Sequence, residues 1–129
     1  MAIRIVRLGT PRYPAEGLRL GTVRRPPRGV RKADYSHRDY FDVWLPDLAP
    51  SAALLTWARS KPLTERHWQL FVRRYRGEMA RPPARRLIVL LAALSAEADF
   101  SVGCFCHDEL RCHRSVLREL LVGAGATLA

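Results

Sequence analysis

Three cysteines, two histidines and two arginines fall within residues 104–114, in the order Cys104, Cys106, His107, Arg111, Cys112, His113 and Arg114. Thiols, imidazoles and guanidinium groups at this density support three kinds of chemistry. The first is anion binding. If Cys112 or His113 opens a helix, its first turn presents unpaired N–H groups and a partial positive charge. Arg114 and His113 would add donors. The basic segment 24–32, with Arg25, Arg28 and Lys32, could close over the same spot. Phosphate, sulfate or a nucleotide would suit such a site, and Asp108 and Glu109 would oppose it wherever they point inward.

The second chemistry is a thiol nucleophile. Cys106 or Cys112, near a helix N-terminus with His107 or His113 beside it, would ionise more readily and attack better at neutral pH. Cys106 and Arg111 have the C-x4-R spacing of sulfurtransferases such as rhodaneses, although residues 107–110 carry two acids where that loop is usually glycine-containing. The third chemistry is a metal, with zinc the natural ion. Cys104, Cys106, His107, Cys112 and His113 offer five donors, and zinc takes four. C-x-C-H-x4-C-H departs from the familiar C-x2-C spacings. A strand running through residue 106 would also hold Cys104 and Cys106 on one face but several ångströms apart. Against all three stands plain packing. Cysteine is among the most buried residues, so Cys104 suits an apolar strand, while His113 or Arg114 could simply tie a helix end to the sheet.

Composition narrows the setting. The chain of 129 residues carries a net charge of +10, and of its 22 basic residues only Lys32 and Lys61 are lysine. The arginines are spread over the whole length, as the coding bias of a GC-rich genome would spread them. A nucleic-acid-binding face should instead show clustering or a motif. No zinc finger, aromatic RNA-binding signature or helix-turn-helix is present. An arginine-rich nucleic-acid or protein-partner module without catalysis therefore stands as the alternative to the small-anion site. The odd, clustered cysteines read as reduced thiols rather than a secreted disulfide framework. The first residues are interrupted by arginines, and no apolar run reaches membrane-spanning length, so the expected compartment is the cytoplasm.

The elements that must position these groups follow from periodicity. Alternation predicts strands at 2–8, at 18–23 (Leu18, Leu20 and Thr22 on one face) and, more briefly, at 40–45. Prolines and a glycine keep 24–32 irregular. Ser51 caps a helix through about residue 60, and Thr64 caps the most regular one, with Trp68, Phe71, Val72, Tyr75 and Met79 on one stripe. A third helix is predicted over 85–97, a strand over 100–106, and a last helix from 112 or 113 that ends at Gly123. His37 and His67 read as ordinary surface or half-buried residues. The whole chain, 1–129, is expected to form one small α/β domain with a mainly parallel sheet of three to four strands covered by helices. Ligands in such folds collect beyond the carboxyl ends of the strands, where the loop 106–112 would lie.

The segment 17–32, then Trp44, Leu48-Ala49-Pro50-Ser51, Trp57, Trp68-Gln69-Leu70-Phe71, Tyr75 and Glu78, resembles the YeaO-like family of bacterial proteins, part of a larger group catalogued as a domain of unknown function. The shared pieces are a Val-Asp-Arg-x-Trp-Pro-Arg-Gly segment, an Ala-Pro-Ser segment, a W-x-x-F-x-x-x-Y-x-x-E helix and, in many relatives, a Cys-rich strand end followed by Cys-His-Arg. The resemblance implies a compact α/β fold in a bacterial cytosol and implies no activity. This chain departs from the pattern at Arg24-Arg25-Pro26-Pro27-Arg28-Gly29, which lacks the family's acid and tryptophan, while Arg25, Pro27, Arg28, Gly29 and Lys32 match it. The function expected from all of this is binding of a small anionic ligand by Arg25, Arg28, Lys32 and Arg114. Any chemistry would fall to Cys106, Cys112 and His113.

Overall fold

The computed structural model describes all 129 residues. Its centre is a sheet of four strands, β1 (Ile3–Arg7), β2 (Leu18–Gly21), β3 (Val43–Trp44) and β4 (Phe100–Cys104). They lie in the order β1-β4-β2-β3, with every pairing parallel. Four helices accompany them: α1 (Ala52–Arg59), α2 (Glu65–Met79), α3 (Ala84–Leu94) and α4 (His113–Gly123). The α/β class and the parallel sheet are those expected from the sequence. None of the helices is long and apolar enough to cross a membrane.

Pairing register explains how the two faces of the sheet differ. Ile3 lies opposite Phe100, and Leu20 opposite Val102, so these side chains share one face. They form one cluster with Leu54 of α1, Phe71 and Tyr75 of α2, Ile88 of α3, and Leu117 and Leu121 of α4. All four helices thus bury their apolar stripes against the same face. The opposite face is covered by loops rather than helices. There Arg19 sits opposite Ser101 and Gly21 opposite Gly103. A Cβ on Gly21 would lie 2.3 Å from the Phe41 ring, and one on Gly103 would lie 2.7 Å from a Leu8 methyl. The two glycines let those loop side chains press directly on the sheet.

A charged pair sits within that second layer. Glu16 and Arg19 are 3% and 0% exposed, and Arg19 donates Nε and Nη2 to the two Glu16 oxygens at 2.8 and 2.9 Å. Its Nη1 donates to the carbonyls of Thr10 and Asp39 at 2.8 and 2.9 Å, while Ser101 Oγ donates to Glu16 at 2.6 Å. Every polar end of the pair is therefore bonded, as a buried ion pair requires.

The helix caps fall where expected: Ser51 accepts from the Leu54 N–H and Thr64 from that of His67. Other boundaries moved. The strand predicted over 40–45 contracts to Val43–Trp44, because only two residues pair with β2. The third helix stops at Leu94, the second strand ends at Gly21 with Leu18 exposed, and the fourth ends at Cys104. His67 is buried rather than on the surface. It donates Nε2–H to the Ala58 carbonyl at 2.8 Å and lies against the Trp57 ring, which joins α2 to α1.

Candidate functional site

β2 and β4 are neighbours, yet the chain leaves their carboxyl ends in opposite directions. After β2 it passes to β3 at one edge, and after β4 it runs through α4 to Leu128, which bridges Ile3 at the other edge. Such a divergence opens a crevice in a parallel sheet. A cleft of about 420 Å³ lies there. Val23 and Arg24 line it from the end of β2, Cys104, Phe105 and Cys106 from the end of β4, Pro50 and residues of α1 from the side, and His113 from the start of α4.

The wall made by α1 is fixed by α2. Trp68, Phe71 and Tyr75 stack along one face of α2. Tyr75 donates its hydroxyl to the Leu48 carbonyl at 2.8 Å, and Glu78 accepts the Ser51 N–H at 2.8 Å. The Ala-Pro-Ser segment is therefore clamped by the Tyr and Glu of the aromatic helix. Arg24 completes the clamp by donating to the carbonyls of Pro46, Ala49 and Pro50. With those bonds made, Arg24 is a strut. Arg25, Arg28 and Arg59 are exposed residues on the cleft lining.

The three thiols meet at the floor. β4 ends at Cys104 and the chain bends instead of continuing extended to Cys106, contrary to the expectation of a strand over 100–106. Two bonds hold the bend: Arg7 Nε donates to the Phe105 carbonyl at 3.2 Å and Arg114 Nη2 to that of Cys106 at 2.8 Å. The bend brings Cys106 Sγ to 3.6 Å from Cys104 Sγ, and all three Sγ atoms lie within 4.8 Å of one another. The separation that argued against a metal is thus removed, and the trio is close enough to hold one. Cys104 and Cys112 are buried, whereas Cys106 is exposed.

The surroundings set the charges. The S–H of Cys104 directed at the Cys106 sulfur and the neighbouring Cys112 thiol, with smaller contributions from His113 and Arg114, hold that thiol well below its ordinary range against the effect of burial. The cost falls on the partners. Donation to Cys106 pushes the Cys104 thiol up to about 11, and contact with the other two sulfurs together with burial also pushes the Cys112 thiol up. Burial lowers His113 to about 4, so its imidazole is neutral at pH 7. His113 Nε2–H donates to the Thr22 carbonyl at 2.7 Å, which leaves the Nδ1 lone pair 3.8 Å from Cys112 Sγ.

The structure therefore gathers Cys106, His113, Arg25 and Arg28 on one cleft. Cys112 stands behind them as the buried N-cap of α4. Arg114 is 4% exposed, supports the Cys106 carbonyl and keeps a buried Nε without a partner. Lys32 lies in a single exposed turn, Lys32–Asp34, outside the cleft. Arg111 does not cradle Cys106, because it pairs with Glu65 at 2.6 Å and lies over the Trp68 ring. Asp108 caps its own turn at Leu110, and Glu109 faces Arg118, so neither acid enters the cleft. His107 is likewise engaged, accepting from Arg7 Nη2 at 2.8 Å. Sequence reasoning missed Arg59, whose only signal was a basic residue at the end of a helix, and it missed the strut Arg24.

No curated protein and no solved structure matches the chain. A family profile described as DUF488-N3a, the active DUF488-N3 subclade, matches residues 3–125. That agrees with the YeaO-like resemblance carried by the Ala-Pro-Ser segment and the aromatic helix. With nearly its full length matched, this chain belongs to the DUF488-N3a family.

Proposed function

We propose that this protein binds a small phosphate-bearing or otherwise anionic ligand in the cleft between the ends of β2 and β4, and that Cys106 is the group placed to act on it. The observation that carries the reading is the convergence of Arg25, Arg28 and Arg59 with Cys106 and His113 on one crevice at a topological switch point. Guanidinium groups offer forked donors that suit phosphate oxygens. The volume is that of a small-molecule pocket rather than a macromolecular groove. The description of the matched subclade as active supports chemistry at the site. Arg114 holds the loop that carries Cys106, and Lys32 takes no part.

Isothermal titration with inorganic pyrophosphate and with a nucleoside diphosphate at low salt tests this. Each of Arg28→Ala and Arg59→Ala removes a charge-assisted contact worth about 1.5 kcal/mol, roughly a ten-fold weakening of Kd. Measured on metal-free protein, Cys106→Ser should keep the affinity. Equal affinity in wild type and the double arginine variant would refute the proposal. Duplex RNA binding that falls steeply with salt and ignores both substitutions would point to the general arginine surface instead.

A further inference from the structure

We infer that Cys104, Cys106 and Cys112 form a three-thiolate site for one divalent ion of the zinc class, with its remaining coordination position turned toward the arginine-lined cleft. The sulfur set stands on its own geometry. The direction of the open position rests on the anion-binding reading of the cleft.

The spacing is that of ligands around a single ion. Sulfurs bound to tetrahedral zinc at about 2.3 Å are roughly 3.8 Å apart. Here one pair is 3.6 Å apart and all three sulfurs lie within 4.8 Å, so small side-chain rotations close the set. Same-face residues two apart on a regular strand are separated by about 7 Å. The bend after Cys104 is what departs from that spacing, and it is built in. Guanidinium groups from β1 and α4 hold the two carbonyls that follow Cys104, those of Phe105 and Cys106. Such support fixes a ligand loop before the ion arrives.

The donor type selects the ion. Three sulfurs favour zinc, cobalt or cadmium over magnesium or calcium, which take oxygen. The surplus negative charge of three thiolates is offset by Arg114 beneath the loop and by the arginines of the cleft. Two of the sulfurs are buried, and the third, Cys106, is on the cleft lining, so the open side of the set faces the cleft. Three protein ligands with one open position is the arrangement of zinc sites that meet a substrate, whereas structural sites close with four. His113 lies beside the set, its ring oriented by the Thr22 carbonyl and its Nδ1 near Cys112 alone among the sulfurs at 3.8 Å.

Anaerobic titration of the reduced full-length protein with Co(II) tests the site. The expected result is one equivalent bound, with a sulfur-to-cobalt charge-transfer band and visible bands of tetrahedral intensity, both bleached by Zn(II). Cys106→Ser, at an exposed position, should weaken binding about 100-fold or more while the protein stays folded. Arg86→Ala, exposed and away from the cleft, should leave cobalt binding intact. Pyrophosphate should shift the visible bands, since it approaches the open position. Absence of the charge-transfer band with three free thiols counted, or its survival in Cys106→Ser, would overturn the metal site. Visible bands unmoved by pyrophosphate that still binds calorimetrically would overturn the cleft-facing position. Loss of pyrophosphate binding alone, with cobalt spectra intact, would count against the anion reading and not against the sulfur set.

Discussion

Replacing Glu16 by glutamine should destabilise the protein by an amount that depends on pH in a calculable way. Burial raises the Glu16 carboxyl, but hydrogen bonds from Arg19, Ser101 and the Tyr13 N–H, and the charge of Arg19, outweigh it and lower the group to about 2 from 4.5. That difference corresponds to about 3 kcal/mol of stability. Because the folded-state value is depressed, this stability is fully present above about pH 4.5. It is lost as pH falls through the interval toward 2. In Glu16→Gln, Arg19 stays buried with its charge unpaired, which costs about 3–5 kcal/mol at neutral pH. Urea denaturation at pH 7, 4 and 3 and constant ionic strength should show a gap of about 3 kcal/mol at pH 7 that narrows steadily toward pH 3. A gap below about 1 kcal/mol at pH 7, or one that does not change with pH, would refute the reasoning.

Two further outcomes follow from the site. Tyr75→Phe leaves the Leu48 carbonyl without its donor and should cost about 1–3 kcal/mol, measured by urea denaturation. It should also loosen residues 48–52, visible as faster amide hydrogen exchange there. In the metal-free protein, iodoacetamide should modify Cys106 first, with Cys104 and Cys112 protected until unfolding. Since neighbouring S–H donors already favour the Cys106 thiolate, its rate should change little between pH 6 and 8. An ordinary thiol would speed up by roughly 70-fold over that range. Mass spectrometry at each cysteine reads both effects.

Local pattern carried much of the fold. Ser51 and Thr64 sit directly before apolar stripes, and a cap followed by a 3.6-residue period is a signal that tertiary context rarely overrides. The aromatic helix was legible for the same reason, and the position of a crevice beyond the strand ends followed from the parallel order. What was not legible depends on contacts far apart in sequence. The bend after Cys104 is held by Arg114 and also by Arg7, nearly one hundred residues away, and nothing in the segment itself announced the second contact. Glu16 and Arg19 look like two charged loop residues until Ser101 and the Thr10 and Asp39 carbonyls surround them. Arg59 carried no distinguishing pattern among so many arginines. Lys32 was placed with Arg25 and Arg28 because all three match the family's basic segment, yet the chain turns at Lys32–Asp34 and carries it away.

The central claim is that the crevice between β2 and β4 is an anion site with Cys106 at its floor. Amide chemical-shift mapping of the labelled protein with inorganic pyrophosphate tests it most directly. The account predicts saturable shifts concentrated at Val23, Arg24, Arg25 and Arg28, at Ala52, Leu55 and Arg59, and at Cys104, Phe105 and Cys106. Shifts that are absent at millimolar pyrophosphate, or that scatter over exposed arginines such as Arg73, Arg86 and Arg118 without saturating, would contradict it.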